Sequence, residues 1–415
     1  MAVVAITDVY GPTLRYARAF REAGHDVVRV QSTPEVPRVY RPGLAPAVVA
    51  EVFLADLSCE DPARELAPYA PIAVLAGGEC GVELADRLAE QLGLPGNGTR
   101  TSAARRNKFA QVEAARRAGL RAARQILVDD EEKLRAWHAE IGGRAVVKPV
   151  RSAGNDGVHF CDRPEDSVRA YRAIRDAVNI FSVRNEGVVA QEFLHGTEYV
   201  VNTVSYRGRH RVTDVWRYTK LSANGVSDRV SAAVSVPPSA PAWSALTSYA
   251  AGILDAMEIR YGPVHLEIML TPDGPCLVEL GARLSGADTA YYAALANGSS
   301  QIDWAVLAAI DPDTFLDRHD EPLRPQRHVA MCFLTSPVAG TLRSYPRLAE
   351  VQALDSHHNV VTIVGPGGRL QVTVDDTTEP LMIGLAHPIE SVLERDLLTV
   401  HHLDGCGFYE LADTR

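Results

Sequence analysis

The sequence predicts an α/β domain built on a parallel sheet, followed by a larger α+β body. Three observations predict it. Up to about residue 100, short β-branched runs alternate with helical segments, the pattern of repeated strand–helix–strand units. From residue 144 onward, strand-like runs follow one another through glycine-containing turns. Beyond a proline-rich stretch at 311–326, short strands, turns and one helix over 390–397 make a small α+β appendage.

The elements justify this in order. Residues 3–7 (VVAIT) form a buried strand, 13–23 a helix stopped by Gly24, and 25–30 a second strand. Residues 48–54 and 72–75 continue as strands, and 82–92 is a helix. The Gly77-Gly78-Glu79 turn follows a strand, where open α/β sheets place ligands; with no GxGxxG it is not a dinucleotide site. GLPGNG at 93–98 is a boundary loop. Residues 101–119 form a helix capped near Thr101 or Ser102, ended by Gly119 and carrying Lys108. Residues 144–158 (RAVVKPVRSAGNDGV) are a strand, a loop and a strand, with Lys148 at the loop mouth. The small residues Ser152, Ala153, Gly154 and Gly157, with Asn155 between them, let backbone N–H groups approach phosphate oxygens, although an ordinary hairpin connection fits the same residues. Two strand-like runs bracket His195-Gly196-Thr197, so Gln191, Glu192, Phe193 and Leu194 end one strand and Glu198 opens the next. Residues 211–220 form a strand and 221–230 a polar, mobile lid. Residues 243–257 form a helix, and 311–326 are a linker. The pairs His357–His358 and His401–His402 read as surface polar residues.

Residues 264–286 (VHLEIMLTPDGPCLVELGARLSG) carry the most chemistry. Two apolar runs flank Pro272-Asp273-Gly274, so they form a hairpin. Asp273 lies midway between Glu267 and Glu279, and a hairpin symmetric about it sets the two carboxylates opposite each other. Like charges so placed are destabilising, and a cation relieves them. An oxygen-only ligand set suits Mg²⁺. The competing arrangement is a solvated hairpin, or a slipped register that separates the two.

Composition excludes several classes. A chain of 415 residues with 46% hydrophobic and 23% charged residues holds two to three soluble domains. A formal net charge of −10 leaves no basic footprint for nucleic acid. No apolar run approaches the ~18 residues of a membrane span. The six cysteines (59, 80, 161, 276, 332, 406) have no CxxC spacing, which fits a reducing cytoplasm. Of 42 basic residues only Lys108, Lys133, Lys148 and Lys220 are lysine. Where arginine is the default, a retained lysine points to a need for a compact charge on a slim stem. Lys133, in the polar run DDEEKLRAW, needs no such reason.

Taken in this order, a helix lysine, a strand-end lysine before a glycine loop, Q-E-F-L-x-G-x-E, and a hairpin with two glutamates and an arginine resemble the ATP-grasp superfamily over residues 100–300. His265-x-Glu267 and Glu279-Leu-Gly-Ala-Arg283-Leu-Ser-Gly286 are most similar to L-amino-acid ligases of the carboxylate–amine type. Many relatives carry Asn where Gly281 stands. The resemblance implies an ATP-grasp fold, α/β and α+β: a Rossmann-like parallel-sheet domain over 1–100, a first subdomain with the glycine loop over 101–186, a second with the metal site over 187–320, and a C-terminal α+β subdomain over 321–415.

It also implies roles. Lys108 and Lys148 contact ATP phosphates, and Ser152, Gly154, Asn155 and Gly157 close over them. Gln191, Glu192, Phe193 and Leu194 frame the adenine, and Glu198 holds the ribose. Lys220 is a further phosphate contact. Glu267 and Glu279 hold Mg²⁺, usually two ions, with Mn²⁺ as the alternative. Arg283 binds the substrate carboxylate and acyl-phosphate. Asp228 or His265 takes the proton of the amine. The implied activity is amide or dipeptide formation from small-molecule carboxylate and amine substrates by a cytoplasmic homodimer. The competing activities are transfer to a carrier-protein or peptide amine, ATP binding without catalysis, and a biotin-type carboxylase.

Overall fold

The computed structural model describes residues 1–37, 40, 46–58 and 60–412, so Cys59 lies outside the described residues. The chain forms two compact units. The first comprises residues 1–213, 241–290 and 301–322; the second comprises 214–240, 291–300 and 323–415.

The first unit begins with β1 (Val3–Thr7), β2 (Asp26–Val30), β3 (Ala55–Leu57) and β4 (Ala73–Ala76), a parallel sheet in the order β3-β2-β1-β4. Residues 48–54, expected as a strand, instead contribute to the helix Pro46–Val52. Val52 and Phe53 bury into the same core as Val49, the i, i+3, i+4 spacing of a helical face. The strand of the pattern is the short β3, which pairs Ala55 with Val28.

One face of this sheet packs Ile6 and Val9 together with Leu284, Ile302 and Phe315. That core seats the far end of the 264–286 hairpin against the C-terminal ends of β1 and β4. Truncating a side chain such as Leu284 to alanine costs on the order of 2–5 kcal/mol. The proline-rich 311–326 is not a bare linker. Asp311 caps the helix Pro312–Arg318 by accepting from Thr314 N at 3.2 Å, Phe315 is buried, and Arg211 donates to the carbonyls of His319 and Glu321.

A second, four-stranded sheet has the order β5-β8-β6-β7: β5 (Gln125–Val128), β6 (Ala145–Pro149), β7 (His159–Cys161) and β8 (Val188–Glu192). Beside it, β9 (Thr197–Tyr206), β12 (Gly262–Thr271) and β13 (Gly274–Gly281) run antiparallel. The edge strand β13 is covered by side chains that use its backbone. Gln111 Nε2 donates to Leu280 O at 2.7 Å while its Oε1 accepts from Leu280 N at 3.0 Å, and Leu277 N donates to Tyr249 OH at 2.9 Å.

In the second unit, the C-terminal part of β10 (Arg209–Ala223), β11 (Val226–Ser235), β14 (His328–Phe333), β18 (Leu381–His387) and β16 (His357–Thr362) follow in that order. β15 (Gly340–Ser344), β17 (Arg369–Leu370) and β19 (Glu410–Leu411) make a small sheet of their own. The expected lid at 221–230 is a hairpin. Asn224 and Gly225 have φ of 55° and 80°, the left-handed pair that a two-residue type I′ turn needs. Asn224 Nδ2 donates to the carbonyls of Ser336 and Thr373 at 2.9 and 2.8 Å, so the turn is tied down. The histidine pairs are not all surface residues. His358 Nε2 meets Tyr291 OH at 2.7 Å, and burial holds His357, His358 and His401 below the ordinary histidine range. Among the described residues, no helix is long and apolar enough to cross a membrane.

Candidate active site

The site grows from the β12–β13 hairpin of the first unit. Its turn is Pro272-Asp273, because Thr271 pairs with Gly274. That centre lies half a residue before Asp273, and an unbroken ladder would set Glu267 against Val278. Instead the register shifts between Glu267 and Ile268: Ile268 pairs with Leu277, and Glu267 with Glu279. Val278 is the extra residue of a β-bulge. The two carboxylates therefore do stand opposite each other, by a device the symmetric hairpin did not contain. The bulge has a second use, since the Val278 carbonyl lies 3.5 Å from Lys148 Nζ.

Two lysines converge here. The helix carrying Lys108 starts at that residue, Lys108–Arg117, and is capped by Asn107, whose side chain accepts from Ala110 N at 3.0 Å. The expected single helix from residue 101 is broken into a 3₁₀ turn, Ser102–Arg105, and this helix. The break follows from the fully buried Arg105, which donates to Asp86 at 2.6 Å and to the carbonyls of Gly98 and Asn97 at 2.8 Å. Lys108 Nζ then reaches Glu279 Oε1 at 3.0 Å and donates to Ser152 O at 2.6 Å. Lys148 is buried; burial and the Lys108 charge push its ammonium down to about 8, against the pull of Glu279, Glu267 and Glu198.

The glycine loop joins β6 to β7. Gly154, Asn155 and Gly157 all have positive φ, and a Cβ on Gly157 would lie 2.9 Å from Pro149 Cγ. Ser152 Oγ donates to Asp156 Oδ2 at 2.6 Å, which also accepts from Ile180 N at 2.9 Å, so the loop base is braced. Gln191 and Glu192 end β8. The Glu192 carboxylate is committed to Arg124 at 2.7 Å, and Gln191 Nε2 donates to Gln125 at 2.9 Å. Phe193 N donates to Arg144 O at 3.0 Å, and its ring stands edge-on to His195 at 4.8 Å. Leu194 follows in the turn to β9. Gly196 admits β12: a Cβ there would lie 2.2 Å from Leu270 O. Glu198 is buried at the start of β9, opposite Met269.

Past β13, Arg283 is buried among partners. Its Nε donates to Glu79 Oε2 at 3.0 Å, and its Nη1 to Leu284 O at 2.7 Å and to His265 Nδ1 at 3.2 Å. Burial opposes its charge, but Glu79, Tyr40 and Glu279 together hold the guanidinium above the ordinary arginine value. Burial, then the Arg283 charge, hold His265 well below the ordinary histidine range. A guanidinium only donates, so Nδ1 of the neutral ring accepts and the ring proton sits on Nε2. Gly281 is opposite His265, and a Cβ there would lie 2.2 Å from the ring's Cε1.

Of the residues named from sequence, Lys108, Lys148, Glu198, Glu267, Glu279, His265 and Arg283 gather in the first unit, with the glycine loop joined to them through Lys108. Lys220 pairs with Val230, and Asp228 has φ of 55°; both belong to the β10–β11 hairpin of the second unit. Sequence reasoning gave no role to Glu79 or Gln111. Glu79 had one clue, its place directly after Gly77-Gly78 at a strand end. Among the described residues no three His, Cys, Asp or Glu side chains form a metal cage. Two carboxylates beside two lysines still fit Mg²⁺, which takes few protein ligands and fills its shell with phosphates and water.

The chain is similar to several known proteins. The ATP-grasp domain model matches residues 141–290. Dapdiamide A synthase of Enterobacter agglomerans is 30% identical over 418 residues, covering 99% of this chain and 97% of that one. An L-arginine-specific L-amino acid ligase of Bacillus subtilis is 22% identical over 203 residues, 48% of each chain. The crystal structure of an L-amino acid ligase from Bacillus licheniformis superposes with a TM-score of 0.78 at 19% identity, covering 100% of this chain and 99% of that one. The biotin carboxylase domain of Hydrogenobacter thermophilus 2-oxoglutarate carboxylase, solved with MgADP and bicarbonate, has the same fold at a TM-score of 0.67 and 14% identity, covering 99% and 90%. The chain belongs to the ATP-grasp ligases. It is an ATP-dependent enzyme that forms a C–N bond of the amide or peptide kind.

Proposed function

We propose that this enzyme joins an amino acid, or a similar small carboxylate, to an amine through an acyl-phosphate. The substrate carboxylate attacks the γ-phosphorus of ATP and releases ADP; the amine then attacks the activated carbonyl and releases phosphate. The observation that carries this reading is the Glu267–Glu279 pair with Lys108 and Lys148 gathered at it. Phosphoryl transfer needs positioning and charge neutralisation more than covalent help.

In this reading Lys108, Lys148 and the Ser152–Gly157 loop bind the ATP phosphates, with Lys220 as a further contact. Gln191 and the backbone of Glu192, Phe193 and Leu194 face the adenine, and Glu198 the ribose. Glu267 and Glu279 hold Mg²⁺, which supplies neutralising charge to the phosphates when bound. The count of ions, and Mn²⁺ in place of Mg²⁺, belong to the same proposal. Arg283 binds the substrate carboxylate and then the acyl-phosphate. His265 presents Nε2–H beside it, and Asp228 or His265 takes the proton of the amine. The homodimer and the cytoplasm are proposed with it.

A phosphate-release screen of amino acids in pairs tests this. ADP and phosphate should appear in step with amide, and only when both a carboxylate and an amine are present. Release with bicarbonate alone would favour carboxylation, and ATP binding without turnover on every pair would favour a non-catalytic module.

A further inference from the structure

We propose that Glu79, on the loop after β4, is the positioning residue for Arg283, so that the N-terminal domain sets the orientation of the guanidinium at the reacting carboxylate. This rests on the function proposed above. Arginine has five N–H donors. Nε–H is taken by Glu79, and both hydrogens of Nη1 are taken by Leu284 O and His265. Nη2 has no hydrogen-bond partner among the described residues, so the guanidinium is held on three sides and presents one edge. The Glu79 bond fixes rotation about the last side-chain torsion, because it engages the one nitrogen nearest the stem.

Glu79 is itself rigidly held. Gly77 and Gly78 press the loop onto β1: a Cβ on Gly78 would lie 2.6 Å from Asp8 O, and one on Gly77 2.8 Å from Thr7 O. The other carboxylate oxygen of Glu79 faces Arg106 Nε at 3.7 Å. Arg106 lies 3.6 Å from Glu83, and Glu83 accepts from Arg151 at 2.8 Å, directly before the glycine loop. Glu79 thus sits buried between two guanidiniums in a partly exposed ion chain, with its own side chain 5% exposed. A loosened Arg283 would release the acyl-phosphate to water before the amine arrives.

The readout is coupling, the ADP formed per amide. Glu79→Gln keeps the shape and removes the charge. It should lower amide turnover by about 10–100-fold, raise ADP per amide above the wild-type ratio, and leave the KM for ATP within about twofold. Glu79→Asp should restore part of the coupling. A merely structural Glu79 would lower stability and active fraction and leave the ratio unchanged, which overturns the proposal. A cycle with Arg283→Lys separates the two further. If Glu79 acts through Arg283, Glu79→Gln adds little on that background; additive losses overturn it. Should Glu79→Gln not fold, Glu79→Asp enters the same cycle. If the wild type forms ADP with no carboxylate–amine pair, the proposed function and this inference fall together; if the wild type needs the pair and Glu79→Gln is coupled normally, only the inference falls.

Discussion

The chain holds two long hairpins that handle charge in opposite ways. In β12–β13 a bulge at Val278 brings two glutamates face to face and hands a carbonyl to a buried lysine. In β10–β11 the charge is matched by a partner on another element. Arg229 Nη1 donates to Glu379 Oε1 at 2.6 Å, and Nη2 donates to Thr335 Oγ1 and to Phe333 O. Thr335 N in turn donates to Asp404 Oδ2 at 2.8 Å, and Tyr409 OH donates to the other oxygen. The first arrangement places like charges together at a cost that a cation and phosphates offset. The second pairs a buried charge through both terminal nitrogens of Arg229 within the fold. Like charges gathered on one face mark chemistry; a buried charge with its own bonded partner marks architecture.

Substitutions should separate the two. The largest effect is expected from Glu279→Gln, with amide formation falling on the order of 10³-fold or more while the unfolding transition hardly moves. Normal turnover in that variant would remove the metal assignment. Arg229→Met should do the reverse, lowering stability by about 3 kcal/mol in denaturant unfolding, because it strips the donors from Glu379, Thr335 and Phe333 O. If it lost no stability, the architectural role of this hairpin would be wrong.

Gly281→Ala probes the first hairpin through sterics. The new Cβ collides with the His265 ring, so the bond to Arg283 should break and turnover should fall about tenfold, with ATP binding near normal. Unchanged turnover would mean the ring moves without consequence.

pH supplies a gentler comparison. Burial first, and the charges of Asp376 and Asp375, push the Glu379 carboxyl up to about 8 against the pull of Arg229. Its folded value lies above the unfolded one, about 4.3, so the folded state holds the proton longer. Stability from this group is greatest below the unfolded value, falls as pH rises toward 8, and is flat above. The unfolding midpoint should drop by a few degrees, roughly 2–5 °C, between pH 5 and 8, and Glu379→Gln should flatten that slope. The smallest effect is expected at the turn. Asn224→Ala places alanine at positive φ and removes two bonds to carbonyls, costing about 1–2 kcal/mol in the same unfolding assay.

Much of the site was legible because it is local. Spacing within the hairpin pointed to Glu267 opposite Glu279, although the bulge at Val278 is what sets them so, and scarcity of lysine singled out Lys108 and Lys148. The misreadings were also local and had physical causes. Residues 221–230 read as a loop because they are polar, while Asn224-Gly225 is a hairpin turn whose positive φ values only Asn and Gly adopt cheaply. The helix at 101 was broken by Arg105, whose buried bonds to Asp86 and the 97–98 carbonyls no helical periodicity reports.

The sequence by itself determined the chemistry: which side chains carry charge, at what spacing, and in what order along an ATP-grasp chain. Only the tertiary structure decided how that chemistry is aimed. The bulge at Val278 arises where β13 pairs with β12, and its carbonyl meets Lys148 from the neighbouring sheet, so it rests on both sheets together. The bond from Arg283 to Glu79 spans 204 residues. It exists because Leu284 is buried in one core with Ile6 and Val9 at the end of β1. Spacing constrains residues a few positions apart, through the period of a strand or a helix. Contacts between distant segments follow from which apolar faces pack together, and that is settled when the core forms.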